Sequence, residues 1–237
     1  ADAHNLWIIE EACHAPGGFF TDSKNQKNFC GNGNYSDIGV FSFHPVKHIA
    51  CGEGGMVTTN SKELYEKLIL LRTHGITKET MAENHGGWYY EMIELGFNYR
   101  LTDFQSALGI TQLAKNKKGV ERRNEISSAY KKAFEGEIKF QSLPKNSYNA
   151  HHLFIIEVEN RKELYDYLKL NNIFSQIHYI PVHLLPYYKN IGYDGANLIH
   201  SENYYANCIS LPMYPSLTSE EQNLVISKVL KFISNGK

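Results

Sequence analysis

The chain has 237 residues, 42% of them hydrophobic, with 24 Lys plus Arg against 25 Asp plus Glu and a net charge of −1. That length and composition belong to a folded protein with a sizeable core and exclude a disordered tail or a fibrous repeat, while the neutral balance argues against a dedicated nucleic-acid binder. Apolar runs such as Leu68-Ile69-Leu70-Leu71 are too short to span a bilayer, and four scattered cysteines without a C-x-x-C pair suit a reducing, cytoplasmic setting.

Residues 6–9 form a continuous apolar run that ends in Glu10 and Glu11, as in a parallel strand buried on both faces. Only five residues precede it, none able to form a neighbouring element, so the expectation is that the sequence is the C-terminal portion of a longer enzyme. The Gly- and Asn-rich stretch 17–34 predicts a long loop or a short hairpin. Residues 38–43 and 56–59 read as further strands, and 61–72 as a helix capped by Ser61 with Leu64, Leu68 and Leu71 on one face. From residue 101 to about 134 the pattern predicts one long helix, or two end to end, with Thr102 as N-cap and Gln105 in the first turn. Its basic part, 115–123, reads as a solvated face. A β-α-β unit is expected next, with strands at 152–158 and 174–180 around a helix at 161–170. The last helix opens on a capping box, Thr218 to Glu221, and carries Val225, Val229, Phe232 and Ile233 along one stripe. The overall class is α/β, with a domain boundary expected inside the long helix, dividing 1–120 from 121–237.

The stretch from Phe41 to Gly55 is the most informative chemically. A strand stops at Pro45, Lys47 follows between apolar residues, and a Gly-rich turn leads into the next strand. A lysine there sits at the C-terminal edge of a sheet, where α/β proteins place their sites. Removal from water disfavours an ammonium and makes the amine a nucleophile, as Schiff-base chemistry requires. Most lysines are surface residues, however, and spacing alone leaves both readings open. Glu10 and Glu11 close a strand, where a carboxylate faces either solvent or a cation. Gly31-Asn32-Gly33 lacks a third glycine and a preceding strand, and no H-E-x-x-H accompanies the paired histidines, so neither a dinucleotide fingerprint nor a metal site is expected.

Taken together, Glu10-Glu11-Ala12-Cys13-His14-Ala15, Phe41-Ser42-Phe43-His44-Pro45-Val46-Lys47 and Gly52-Glu53-Gly54-Gly55 resemble the DegT/DnrJ/StrS sugar aminotransferases. The likeness continues through Arg72-Thr73-His74-Gly75, the Gly96 to Asp103 stretch, His178 to His183 and Leu211-Pro212. Tyr35-Ser36-Asp37 and Trp88 to Met92 resemble the pseudaminic-acid-pathway branch. The resemblance implies a fold-type-I enzyme dependent on pyridoxal 5'-phosphate (PLP), acting as a homodimer with shared sites. It would transfer an amino group from glutamate to a keto group of a nucleotide-linked deoxysugar, a UDP-4-keto-6-deoxy-hexose, in surface-glycan synthesis. By position, Lys47 would hold the cofactor as a Schiff base and shuttle a proton. Ser42 would bind its phosphate, His14 would lie by the ring, and Asn98 would reach the phosphate of the partner subunit's site. Arg100, Tyr179 and His183 would serve the substrate. Glu11 stands where the family carries Asp against the pyridine nitrogen, and its extra methylene must fold back or the ring must shift. A same-fold dehydratase is disfavoured because that branch replaces the lysine with histidine. The alternative from another class is a non-catalytic PLP or sugar-nucleotide sensor.

Overall fold

The computed structural model describes residues 1–78, 85–193 and 197–235. In chain order the elements are β1 (Ile9–Glu11), β2 (Phe19–Thr21), β3 (Lys27–Phe29), β4 (Ile38–Ser42), β5 (Gly55–Thr58), α1 (Lys62–Arg72), β6 (Ile76–Thr77), β7 (Glu91–Met92) and α2 (Asp103–Phe134). Then come β8 (Lys139–Phe140), β9 (Ser147–Tyr148), β10 (Phe154–Glu157), α3 (Arg161–Leu170), α4 (Pro186–Tyr188), α5 (Ile199–Asn207), β11 (Cys208–Leu211) and α6 (Ser219–Asn235). Two compact units result: Ala1–Lys117 with Asn146–Tyr148, and Lys118–Lys145 with the chain from Asn149 onward.

In the first unit β4 is flanked by β1, parallel to it, and β5, antiparallel. The apolar run at 6–9 is not the buried strand its composition suggests. The strand starts at Ile9, and Leu6, Trp7 and Ile9 are each more than 60% exposed. Among the described residues β1 pairs with β4 alone. The Gly- and Asn-rich stretch resolves into the hairpin β2–β3, whose turn is closed by Asp22 accepting from the Lys24 and Gln26 amides. β9 then pairs with the far side of β2, and Phe19 stacks on Tyr148. Helix α1 starts as expected, the Ser61 hydroxyl accepting from the Leu64 amide at 3.3 Å.

Helix α2 is one uninterrupted run of 32 residues. Its start is a reciprocal capping box: the Gln105 amide donates to the Thr102 hydroxyl and the Thr102 amide to the Gln105 side chain. The basic stretch is not wholly solvated. Arg123 is 6% exposed, and its guanidinium donates to the carbonyls of His151, His152 and Met213 at 3.1, 3.1 and 2.8 Å. Three carbonyl acceptors explain why a cation tolerates burial there.

The second unit is a three-stranded antiparallel sheet, β11-β10-β8, packed with helices. Its core gathers Tyr130 and Phe134 of α2, Ile156 of β10, Leu164 and Leu168 of α3, Ile209 of β11 and Val229 of α6, all fully buried. Each such side chain contributes about 1.5–3 kcal/mol by leaving water. Helix α6 has its capping box, Thr218 and Glu221 exchanging backbone-to-side-chain bonds at 2.9 and 3.1 Å. The strand expected at 174–180 is replaced by a single bridge between Gln176 and Ser210. Phe174 and Tyr179 are exposed, so the alternation there marks no buried sheet face, and Pro181 cannot donate to a ladder. Among the described residues no helix is long and apolar enough to cross a membrane.

Candidate active site

Because β1 and β4 run parallel, with Glu11 beside Val40, their C-terminal ends lie side by side. Such an edge is where open α/β sheets place ligands. β1 gives way after Glu11 to a turn closed by the Ala15 amide on the Ala12 carbonyl at 2.9 Å, which carries His14. β4 gives way after Ser42 to a loop fastened at its base, where the Phe43 amide donates to Gly54 and the Cys51 amide to Phe43. Phe43, Ile49 and Cys51 bury themselves under this loop, and Lys47 starts from a turn of its own, its amide on the His44 carbonyl at 2.9 Å. Gly54 is required there: its φ is +144°, and a Cβ would stand 2.7 Å from Leu101.

The outcome is a cluster. The Lys47 Nζ lies 2.5 Å from the Nε2 of His14. Strand alternation sends the two acids opposite ways. Glu10 accepts from the Gly31 amide at 2.9 Å, while Glu11 folds back to accept from the Cys13 amide at 3.0 Å. Hydrogen bonds from Cys13 hold the Glu11 carboxyl below the usual carboxylate range, helped by the charges of His14 and Lys47 and against the effect of burial. The neighbouring Cys13 thiol is pushed up to about 11 by burial first and by Glu11 next, so it stays protonated as a donor. Half-buried Ser42 accepts from the His44 amide at 3.3 Å and keeps its own hydroxyl hydrogen for another partner. A fixed anion, an imidazole, a primary amine and a hydroxyl thus share one strand edge. That donor set fits a group bearing an aldehyde, a protonated ring nitrogen and a phosphate. Glu11 folds back onto Cys13, a residue whose part the sequence does not signal.

Asn98 and Arg100 stand elsewhere in this unit, exposed on a ribbon sewn to the end of α1. Thr73 bridges Asn98, the Phe97 amide donates to Leu71 at 2.7 Å and the Tyr99 amide to Arg72 at 3.0 Å. In the second unit Tyr179 and His183 line a cavity of about 710 Å³ whose wall also includes Tyr188, Tyr193 and Tyr204. Tyr179 is 65% exposed; His183 is buried, with its Nε2 2.9 Å from a Glu202 carboxylate oxygen. Glu202 lies 19 residues further along, too far for any local sequence signal to pair the two. Among the described residues no group of three or more His, Cys, Asp or Glu is arranged to hold a metal ion.

The sequence pattern of the DegT/DnrJ/EryC1/StrS aminotransferase family matches residues 1–230. The spore coat polysaccharide biosynthesis protein SpsC of Bacillus subtilis is 36% identical over all of this chain and 62% of its own length. A UDP-4-amino-4,6-dideoxy-N-acetyl-beta-L-altrosamine transaminase of Campylobacter jejuni is also 36% identical, over 98% of this chain and 58% of its own length. Among solved structures, Helicobacter pylori PseC, an aminotransferase of pseudaminic acid biosynthesis, superposes with a TM-score of 0.85 at 30% identity, covering 99% of this chain and 61% of PseC. The chain therefore spans about three fifths of the length of these relatives. Matched along nearly its whole length and sharing the fold of these PLP-type enzymes, the chain belongs to the DegT/DnrJ/EryC1/StrS aminotransferase family.

Proposed function

We propose that this chain carries the catalytic lysine of a PLP-dependent aminotransferase. The enzyme moves an amino group from glutamate to a keto group of a nucleotide-linked deoxysugar, a UDP-4-keto-6-deoxy-hexose, and so supplies surface-glycan synthesis. The observation that carries the reading is the approach of Lys47 Nζ to His14 Nε2 at 2.5 Å on the strand edge that also holds Glu11. Family membership and the two named sugar transaminases, one from Campylobacter and one from Helicobacter, support it over a sensor of the same fold.

When bound, PLP supplies an electron sink for the pair released at the carbon that loses its proton. Lys47 would be the amine that anchors its aldehyde and afterwards the base that carries a proton. His14, in contact with that amine, would orient it beside the ring. The Glu11 carboxylate would keep the ring nitrogen protonated, and the Ser42 hydroxyl would donate to the phosphate. Asn98 and Arg100, on their exposed ribbon, reach the phosphate and substrate of a second copy's site in a cytoplasmic homodimer. Tyr179 and His183 bind the sugar nucleotide. The unit Ala1–Lys117 with Asn146–Tyr148 belongs to the large cofactor domain, and the other unit is the small one.

The test is borohydride reduction of the full-length protein incubated with PLP, followed by peptide mass mapping. A phosphopyridoxyl group on the peptide bearing Lys47, dominant over other lysines, is the expected result. Absence of any specific adduct would refute the assignment.

A further inference from the structure

We propose that Glu202 is a positioning residue for His183, holding its imidazole in one tautomer and one orientation at the wall of the 710 Å³ cavity. What the cavity receives rests on the function proposed above; the pairing itself does not.

His183 sits in the one-turn helix Val182–Leu184, pinned by the Leu184 amide on Pro181 at 2.9 Å and the Leu185 amide on Val182 at 3.1 Å. Its backbone is fixed, and the freedom left to the buried ring is the choice between its two flips. Glu202, in the first turn of α5, removes that freedom by meeting Nε2 at 2.9 Å. His183 lines the cavity and so do His200, Ser201 and Tyr204 around Glu202, yet Glu202 itself does not. The carboxylate is therefore placed to act on that wall through the imidazole. A carboxylate has no hydrogen to give, so the hydrogen of this bond resides on Nε2, and in the neutral imidazole Nδ1 is the acceptor. An acid that fixes the tautomer of a working histidine is a recurrent arrangement, and its removal costs function by releasing the ring rather than by losing a ligand contact. The tyrosines of the same wall bring hydroxyls that donate or accept. The imidazole of His183 in the same wall, held in one tautomer, would suit a sugar hydroxyl or an acetamido N–H. The class of ligand that follows is a nucleotide-linked sugar offering such a donor.

The experiment uses the full-length protein labelled with ¹⁵N-histidine, in wild-type form and as Glu202→Ala, Glu202→Gln and His183→Ala. His183→Ala assigns the His183 resonances. Wild type is expected to show a single tautomer protonated at Nε2. Glu202→Ala is expected to show exchange between tautomers, and Glu202→Gln, whose amide oxygen still accepts, to retain the wild-type signature. An unchanged tautomer in Glu202→Ala overturns the proposal whatever the ligand. Calorimetry with UDP-N-acetylglucosamine as probe gives the second readout. Loss of one hydrogen bond to a charged group predicts about tenfold weaker binding in Glu202→Ala, and Glu202→Gln is expected to stay close to wild type. The double variant Glu202→Ala/His183→Ala is expected to bind no more weakly than His183→Ala alone; multiplicative effects would show that Glu202 acts independently and overturn the proposal. If wild type ignores the probe while the tautomer still depends on Glu202, the substrate reading fails and the pairing stands.

Discussion

His151 offers a stability test whose sign follows from burial. The ring is 8% exposed, and its pKa is lowered from 6.5 to about 4, by desolvation first and then by the nearby charges of Lys131 and Arg123. The native state thus holds it neutral at a pH where the unfolded chain is protonated. Between pH 6.5 and 4 the unfolded state binds more protons, so stability rises with pH across that window and falls as acid is added. For one such proton the loss between pH 7.5 and 5 has a ceiling of about 2 kcal/mol, which partial access of water reduces to roughly 1 kcal/mol. The substitution to make is His151→Asn. The backbone at 151 has φ +50°, a region asparagine enters readily, and the carbonyl that receives Arg123 is kept. Urea unfolding followed by far-ultraviolet circular dichroism at both pH values gives the comparison; the two tryptophans, Trp7 and Trp88, both belong to the first unit and report poorly on this one. The wild-type midpoint should fall by about 0.5 M more than that of the variant, for a slope of about 2 kcal/mol per molar urea. Equal acid sensitivity in the two proteins would refute the claim that a buried neutral imidazole sets this dependence.

Four further outcomes are expected. Glu11→Gln keeps the shape of the side chain but removes its charge, and should lower kcat/KM for amino transfer from glutamate about 10²-fold, read from 2-oxoglutarate release. Ile156→Ala, at a fully buried position of β10, should cost about 2–5 kcal/mol in chemical denaturation. Thr218→Ala breaks the capping box of α6 and should cost about 1 kcal/mol in the same assay. Gly75→Ala places a Cβ 1.8 Å from the Glu94 carbonyl oxygen at φ +66°, so the ribbon bearing Asn98 should detach from α1. Faster amide exchange at Phe97 and Tyr99 would report it.

What the sequence made legible was local. Ser61, Thr102 with Gln105, and Thr218 with Glu221 announce their helices because a cap is a bond between residues three apart. The motif around Lys47 was legible for the same reason, since strand end, turn and glycines are contiguous. What failed depended on partners far along the chain. Arg123 reads as one more surface cation until three carbonyls 28 to 90 residues away surround it. Glu202 and His183 meet only because α5 packs back on the turn that follows Pro181.

The pairing of β9 with β2 has a consequence for how the chain must be made. Phe19 faces Tyr148 across that ladder, and the Asn146 side chain donates to the Thr21 carbonyl, so the first unit is discontinuous in sequence. On a ribosome the β2–β3 hairpin waits with the far side of β2 bare while more than a hundred further residues are added. The loop that closes is long, and its entropy cost grows only slowly with length, but the search delays completion. A nascent chain halted at Lys117 would hold most of the lysine-bearing unit and still lack its last strand, whereas one halted past Tyr148 would not. Strand closure therefore waits for residues 146–148, which lie inside the sequence of the other unit.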